Sequence, residues 1–424
     1  MNDLDNIKTI KLSLAVIFSI GVLLVLFFPL GAYLFSFLVL AFIANAKNGE
    51  YKKLLFFAFI IILISTFIIN ENSVQKFIFR EDDFTTYYNN YLDLLNGHYI
   101  ALFNFGGGFE IGLPGLNFLL SVIINQPLPY VIQIFYILLF MAMLYYLVKI
   151  DTLFIVSRKE NKYMLFLWGA LFLKITAMLT IERQAIASFF VLFALFDNRK
   201  RLFWLAIGCL FHLSTPVIYF VIRYLLQTRS FKRAILSSVA LLGFVVFAYP
   251  ILTIINNIFP NDKIGFVLFF MKNKDLINNE IIKSVKQIFY IFPLIVLDLL
   301  LRLKGIRWSL APSLLLFVFG MLILSILPGV PTRIMMPIIF ILFGFYYYNF
   351  FSLFSNRTHL YMFMLLAISL AIYKFFLPGY YYRYPLIESY PGYYVDAFME
   401  KQDYIRRLSL PGIADVTIDN GNKL

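Results

Sequence analysis

Long apolar runs follow one another along almost the whole chain, broken by short basic clusters. The runs begin at residues 12–28 and 30–44, continue through 131–147, 163–179, 185–196 and 202–221, and end with 334–351 and 360–376. An apolar run of about 20 residues crosses a hydrocarbon core of about 30 Å as a helix. Within lipid only a helix or a closed barrel satisfies its own backbone, and runs without alternation read as helices. The expected fold is therefore an all-α polytopic membrane protein. Its 424 residues suffice for roughly ten or more crossings. With 61% hydrophobic and only 14% charged residues, a water-soluble enzyme and a disordered scaffold are both excluded. A single cysteine, Cys209, excludes an internal disulfide or a thiolate metal cluster.

The net charge of +13 has a topological meaning in such a chain. Basic residues mark cytoplasmic segments. With residues 1–11 placed in the cytoplasm, lysine and arginine outnumber carboxylates only on that side. The other side is balanced, so the charge reads as membrane orientation and not as a nucleic-acid footprint. The first run has no small-residue cleavage site and is expected to stay as an anchor. Residues 1–376 then form the membrane domain, with outer loops at 71–110 and 254–286. Residues 377–424 form a tyrosine-rich tail on the outer side. The tyrosines of 380–394 suit an interfacial aromatic belt or a sugar platform. No phosphate-loop, dinucleotide or HExxH pattern, low-complexity linker or internal repeat is present.

Two segments depart from simple crossing. Residues 111–124 make a helix of only about 21 Å and include Pro114 and Gly115, which reads as re-entrant or interfacial. Residues 202–226 are flanked by basic clusters at both ends: Arg199, Lys200 and Arg201 before, and Arg223, Arg229, Lys232 and Arg233 after. Both ends should face the cytoplasm, so the segment must turn back near 211–216, where Pro216 lies. Non-helical backbone at depth survives only where protein or water covers it, which makes such a turn a site candidate.

The polar residues gather toward the outer side. Loop 71–110 carries Arg80, Asp82, Asp83, Tyr87, Tyr88, the triplet Gly106-Gly107-Gly108 and Glu110. Residues 82–95 can form a short interfacial helix capped by its own acidic start. Arg183 and Gln184 stand between two apolar runs, where an arginine needs a partner or a wet cavity. Either Arg183 faces such a partner, or it snorkels or pairs with its neighbour Glu182. His212 lies at the proposed turn, as a functional group or as a core histidine bonded to freed backbone. Counting from the basic turn at 197–201 places Arg183 and His212 within about 6 Å in depth. Arg333, after Pro328-Gly-Val-Pro-Thr, opens another outer-facing helix. Arginines near helix N-termini suit a diphosphate.

Arg183-Gln-Ala-Ile-Ala, the basic turn Asn198-Arg-Lys-Arg and Phe211-His-Leu-Ser, in that order, resemble the Wzy-type bacterial polysaccharide polymerases of the EpsG-like branch. So do Asp83 with Tyr87-Tyr88, Glu110-Ile-Gly before an apolar run, and Arg333 before another. The similarity runs from about Asn45 to Tyr394; the tail beyond it is longer than the resemblance accounts for. It implies a GT-C-like helix bundle with broken helices near the outer face of the bacterial inner membrane. The implied activity joins polyprenyl-diphosphate-linked oligosaccharide units into O-antigen, capsule or exopolysaccharide. The implied partners are that donor and acceptor, the bilayer and a chain-length regulator protein; no cofactor is implied. By position the matching residues are Asp83, Glu110, Arg183, Gln184, His212 and Arg333, with Arg80 less closely placed.

The chemistry so implied divides in two. A leaving lipid diphosphate needs its developing charge neutralised, which Arg80, Arg183 and Arg333 can supply. An attacking sugar hydroxyl needs a base: His212, Asp83 or Glu110. Tyr87 and Tyr88 offer flat faces to sugar rings. Asp82-Asp83 is the only tight carboxylate pair for a magnesium ion, so no metal site is assigned. Two other classes stay open. A flippase of lipid-linked sugars should show a repeat between halves, which is absent here. A membrane acyltransferase would use an intramembrane histidine with a loop-borne partner that the sequence does not identify.

Overall fold

The computed structural model describes residues 2–376 except 47–48, 73, 75–82, 125–126, 151–160, 261, 307 and 309. Arg80 and the tail 377–424 therefore lie outside the described residues. The described chain is all-helical. Among the described residues four helices are long and apolar enough to cross a membrane, fewer than the ten or more crossings expected: Lys52–Glu71, Pro129–Ile150, Phe231–Ile258 and Val330–Phe351. A fifth crossing exists if Lys274–Ile288 and Phe292–Arg302, bent by 54° at their break, act as one span. Shorter apolar helices pack among them, including Pro29–Asn45, Gly112–Ile124, Lys162–Phe172 and Ala311–Leu324.

Several runs that are continuous in sequence are thus divided. Run 163–179 breaks after Phe172 and resumes at Ile175, with Leu173 and Lys174 between the two pieces. The Lys174 N–H there leaves the helical ladder and donates to the Phe340 carbonyl at 3.2 Å. Run 202–221 breaks into Arg201–Phe211 and Thr215–Gln227. Pro216 has no N–H to offer the His212 carbonyl. The Thr215 hydroxyl takes that carbonyl up, together with the Gly208 carbonyl at 2.9 Å. The two pieces run back on each other: Arg201, near the start of the first, and Arg223 and Gln227, near the end of the second, line one cavity of 170 Å³.

Helix Glu182–Phe196 is the axis of the bundle, with nearly every side chain buried. It packs against Pro129–Ile150 and against both halves of the broken pair. Beside it the 330–351 span is interrupted by Pro337, and residues Pro337–Leu342 adopt a wider π-helical turn. Proline at 337 frees the carbonyl of Arg333, one turn earlier. The Gln184 amide donates to that carbonyl at 2.8 Å and ties the two helices together. Residues 254–286, placed by the sequence as an outer segment, are helical through Asp262–Lys272 and Lys274–Ile288. The second of these is fixed by Gln287, whose amide donates to the Thr332 hydroxyl at 3.3 Å.

The tightest helix contact involves Gly344. A Cβ there would stand 1.9 Å from the Trp168 carbonyl oxygen, so no other residue fits without moving backbone. Around this contact the Trp168 indole stacks on Tyr347 and donates to His359 Nε2 at 2.7 Å. Overpacking of a dense interior costs about 1–3 kcal/mol or more. Gly344→Ala is expected to lower the amount of monodisperse protein recovered from membranes, read by fluorescence size-exclusion chromatography. An unchanged profile would mean that this helix pair is not so closely packed.

Candidate functional site

Glu110 is the hub of the polar cluster. It follows a stretch that turns through the three glycines, all at positive φ. Gly106 is required there: a Cβ at its φ of +57° would lie 2.4 Å from the Glu110 Cγ. The glycine turn thereby folds the carboxylate back against its own loop. Helix Gly112–Ile124 starts immediately after and rests on Phe211, at the end of the first half of the broken pair. That packing delivers Glu110 to the tip where the chain reverses.

Two groups from two other elements donate to the carboxylate, and a third stands beside it. Arg183 Nη1 donates to Oε2 at 2.5 Å. The Leu213 N–H donates to Oε1 at 2.9 Å. His212 Nδ1 stands 3.5 Å from the same Oε1. The Glu110 side chain is only 5% exposed, whereas Arg183 and His212 keep 22% and 27%. The acid is therefore enclosed while its two partners reach the surface. Burying a carboxylate requires this many partners.

The tautomer of His212 follows from its neighbours. The Ser214 N–H points at Nδ1 at 3.3 Å, and the Ser214 hydroxyl lies 3.1 Å from it. A backbone N–H donates only to an unprotonated nitrogen, so in the neutral ring the proton sits on Nε2. His212 then offers a donor at Nε2 and gives no proton from Nδ1 to Glu110.

Arg183 lies over aromatic faces as well. Its guanidinium carbon is 4.4 Å from the Phe105 ring centre and 5.7 Å from that of Tyr87. Tyr87 is buried. Burial first, and then the charge of Asp83, push its phenol well above the usual range, so it stays protonated. Asp83 itself is exposed at the start of helix Asp83–Leu95, one turn before Tyr87. Tyr88 faces elsewhere: it is buried, and its hydroxyl donates to the Pro127 carbonyl at 2.5 Å. Arg333 is exposed, and its guanidinium has no hydrogen bond or ion pair among the described residues. Gln184 spends its amide on the Arg333 backbone.

The structure thus gathers Glu110, Arg183 and His212, with Arg333 on the helix that Gln184 anchors and Asp83 and Tyr87 beside Arg183. Tyr88 stands apart. Glu182 is buried and is not the ion-pair partner of Arg183, which bonds Glu110. Sequence reading also passed over Asn90 and Asn117. Their amides, with the Tyr136 hydroxyl on Asn117 at 2.8 Å, lock helix Asp83–Leu95 to its neighbours. Lys174 was passed over too, although a cation inside an apolar run is a signal in itself. Among the described residues no three metal-ligating side chains stand close enough to hold an ion. Comparison with family models, with curated proteins and with solved structures returns no match for this chain; what is shown is a helical protein with several apolar helices of membrane-spanning length, carrying an Arg–Glu–His cluster around a buried carboxylate at the break between two helices.

Proposed function

We propose that the protein is a membrane glycosyltransferase that polymerises polyprenyl-diphosphate-linked oligosaccharide units at the outer face of a bacterial inner membrane. The observation that carries this reading is the Glu110 carboxylate held by Arg183 and the Leu213 N–H with His212 beside it, and the Arg333 guanidinium, without a partner among the described residues, on the adjoining helix. It supplies a base and cations together, which is what transfer from a lipid diphosphate requires. In this reading the fold is GT-C-like, the 201–227 pair is re-entrant with both ends cytoplasmic, and the N-terminus is cytoplasmic.

The reaction follows from these roles. The acceptor hydroxyl oxygen attacks the anomeric carbon of the donor sugar, and its proton passes to Glu110. The carbon–oxygen bond to the diphosphate breaks, and its electron pair leaves on the diphosphate oxygen. Arg333 and the exposed edge of Arg183 neutralise that charge. His212 donates from Nε2 to orient the attacking or the leaving oxygen. Asp83 at the mouth is the competing base.

The test is direct. Purified protein supplied with a polyprenyl-diphosphate-linked repeat unit should produce a ladder of longer lipid-linked glycans and release polyprenyl diphosphate. Cells lacking the protein should display single-unit surface glycans. If proteoliposomes move the lipid-linked unit across the bilayer and form no new glycosidic bond, the flippase class replaces this reading.

A further inference from the structure

A second polar cavity lies away from the Glu110 cluster. It has a volume of 250 Å³ and is walled mainly by apolar side chains, among them Phe67, Phe172, Phe343 and Leu370, with Lys174, Thr176, Glu71 and Asn70 among its polar groups. The Lys174 ammonium has no hydrogen bond or ion pair among the described residues. It stands between the rings of Phe343, Tyr290 and Phe340, at 5.6, 5.9 and 5.9 Å from their centres. Glu71 is buried in the same wall, with one carboxylate oxygen accepting from the Thr176 hydroxyl at 2.7 Å. The rim reaches Tyr373, half-exposed on helix Asn356–Phe376. An ionisable group held within an apolar bundle is expensive, and such groups mark ligand paths.

Two backbone contacts fix its position. Gln184 bonds the Arg333 carbonyl, and the Lys174 N–H bonds the Phe340 carbonyl on the same span. At 1.5 Å per residue, the cavity lies about 10 Å along that span from the Glu110 cluster. A compact ammonium suits a phosphate as a point charge, and mainly apolar walls opening at the bundle surface suit a hydrocarbon chain.

We propose that the Lys174 cavity seats the phosphate of a second isoprenoid-linked substrate, its chain leaving past Leu370 and Tyr373, while Arg183 and Arg333 serve the first. The assignment rests on the polymerase reading, because joining two lipid-linked units requires two lipid seats. Native mass spectrometry of the protein in nanodiscs, with farnesyl phosphate as probe, tests it. The wild type should take up two equivalents. Lys174→Met should lose one, with binding at least about tenfold weaker, and Lys174→Arg should retain it. The double variant Arg183→Gln, Arg333→Gln should keep the Lys174 equivalent. Leu370→Trp narrows the cavity without touching the lysine, and should weaken the same equivalent even if Lys174→Met does not fold. Unchanged binding in both Lys174→Met and Leu370→Trp overturns the proposal. So does equal displacement of the probe by phosphatidylglycerol, which would make this a general lipid site, or by inorganic phosphate, which would make it a free-anion site. If no polymer forms under any condition but Lys174→Met still loses one equivalent, the seat stands and the polymerase reading falls.

Discussion

Glu110→Gln should leave almost no polymer, a fall of about 10²–10⁴-fold in turnover, which is what a positioned general base contributes. Glutamine has nearly the same shape and can still accept the Leu213 N–H. It cannot take a proton, and it leaves Arg183 without its anionic partner. Because Glu110 is buried, part of the effect could come through folding: removing one member of a buried ion pair costs about 3–5 kcal/mol when both partners are enclosed. Arg183 keeps 22% of its side chain in solvent, which lowers that cost. The informative measurement is therefore turnover per unit of folded protein, with lipid-linked single units accumulating upstream. Glu110→Asp keeps the charge but withdraws it by one methylene, and should fall between the two. Wild-type polymer from folded Glu110→Gln would move the base to Asp83.

Arg183→Lys is expected to lose most polymerisation although the charge is kept. The guanidinium is flat and does three things at once. It donates to Glu110, lies over Phe105 and Tyr87, and keeps an exposed edge. A lysine ammonium is a point charge and cannot occupy those three directions together. Each hydrogen bond to a charged group contributes about 1.5–3 kcal/mol, so losing one to the donor diphosphate weakens the reaction roughly 10- to 150-fold. The protein should appear in the membrane in normal amounts, since the ammonium still satisfies Glu110. Initial rates against concentration of the lipid-linked donor separate the roles: loss confined to KM marks binding, and loss in kcat marks stabilisation of the leaving diphosphate. Full-length polymer at wild-type rate would remove Arg183 from the substrate site and leave it a purely structural partner of Glu110.

The division between local and tertiary information is visible in individual residues. That the chain is helical, with apolar helices of membrane-spanning length, was determined by the sequence alone, because long apolar runs leave the backbone no partner but itself. The helix break at 212–214 was equally legible, since Pro216 is a local feature. Arg183, His212 and Glu110 could be picked out one by one as polar groups in apolar surroundings. Counting along the helices placed Arg183 and His212 at similar depth, but nothing in the sequence joined Glu110 to them. Glu182 and Arg183 are neighbours in sequence, but successive residues on a helix point about 100° apart, so adjacency gave the wrong partner. The true partner lies 73 residues earlier, brought in by a glycine turn and by the packing of helix Gly112–Ile124 on Phe211. Gln184 looked like a ligand group, yet its amide serves the carbonyl that Pro337 frees on another helix. Lys174 was hidden inside a run that counts as one apolar segment. Only the crossing of the 330–351 span breaks that run and opens a cavity beside it. Apolar pattern and charge placement are properties of nearby residues and survive in the sequence; which carboxylate meets which cation depends on how separate helices are rotated and stacked, and that was decided by the tertiary packing alone.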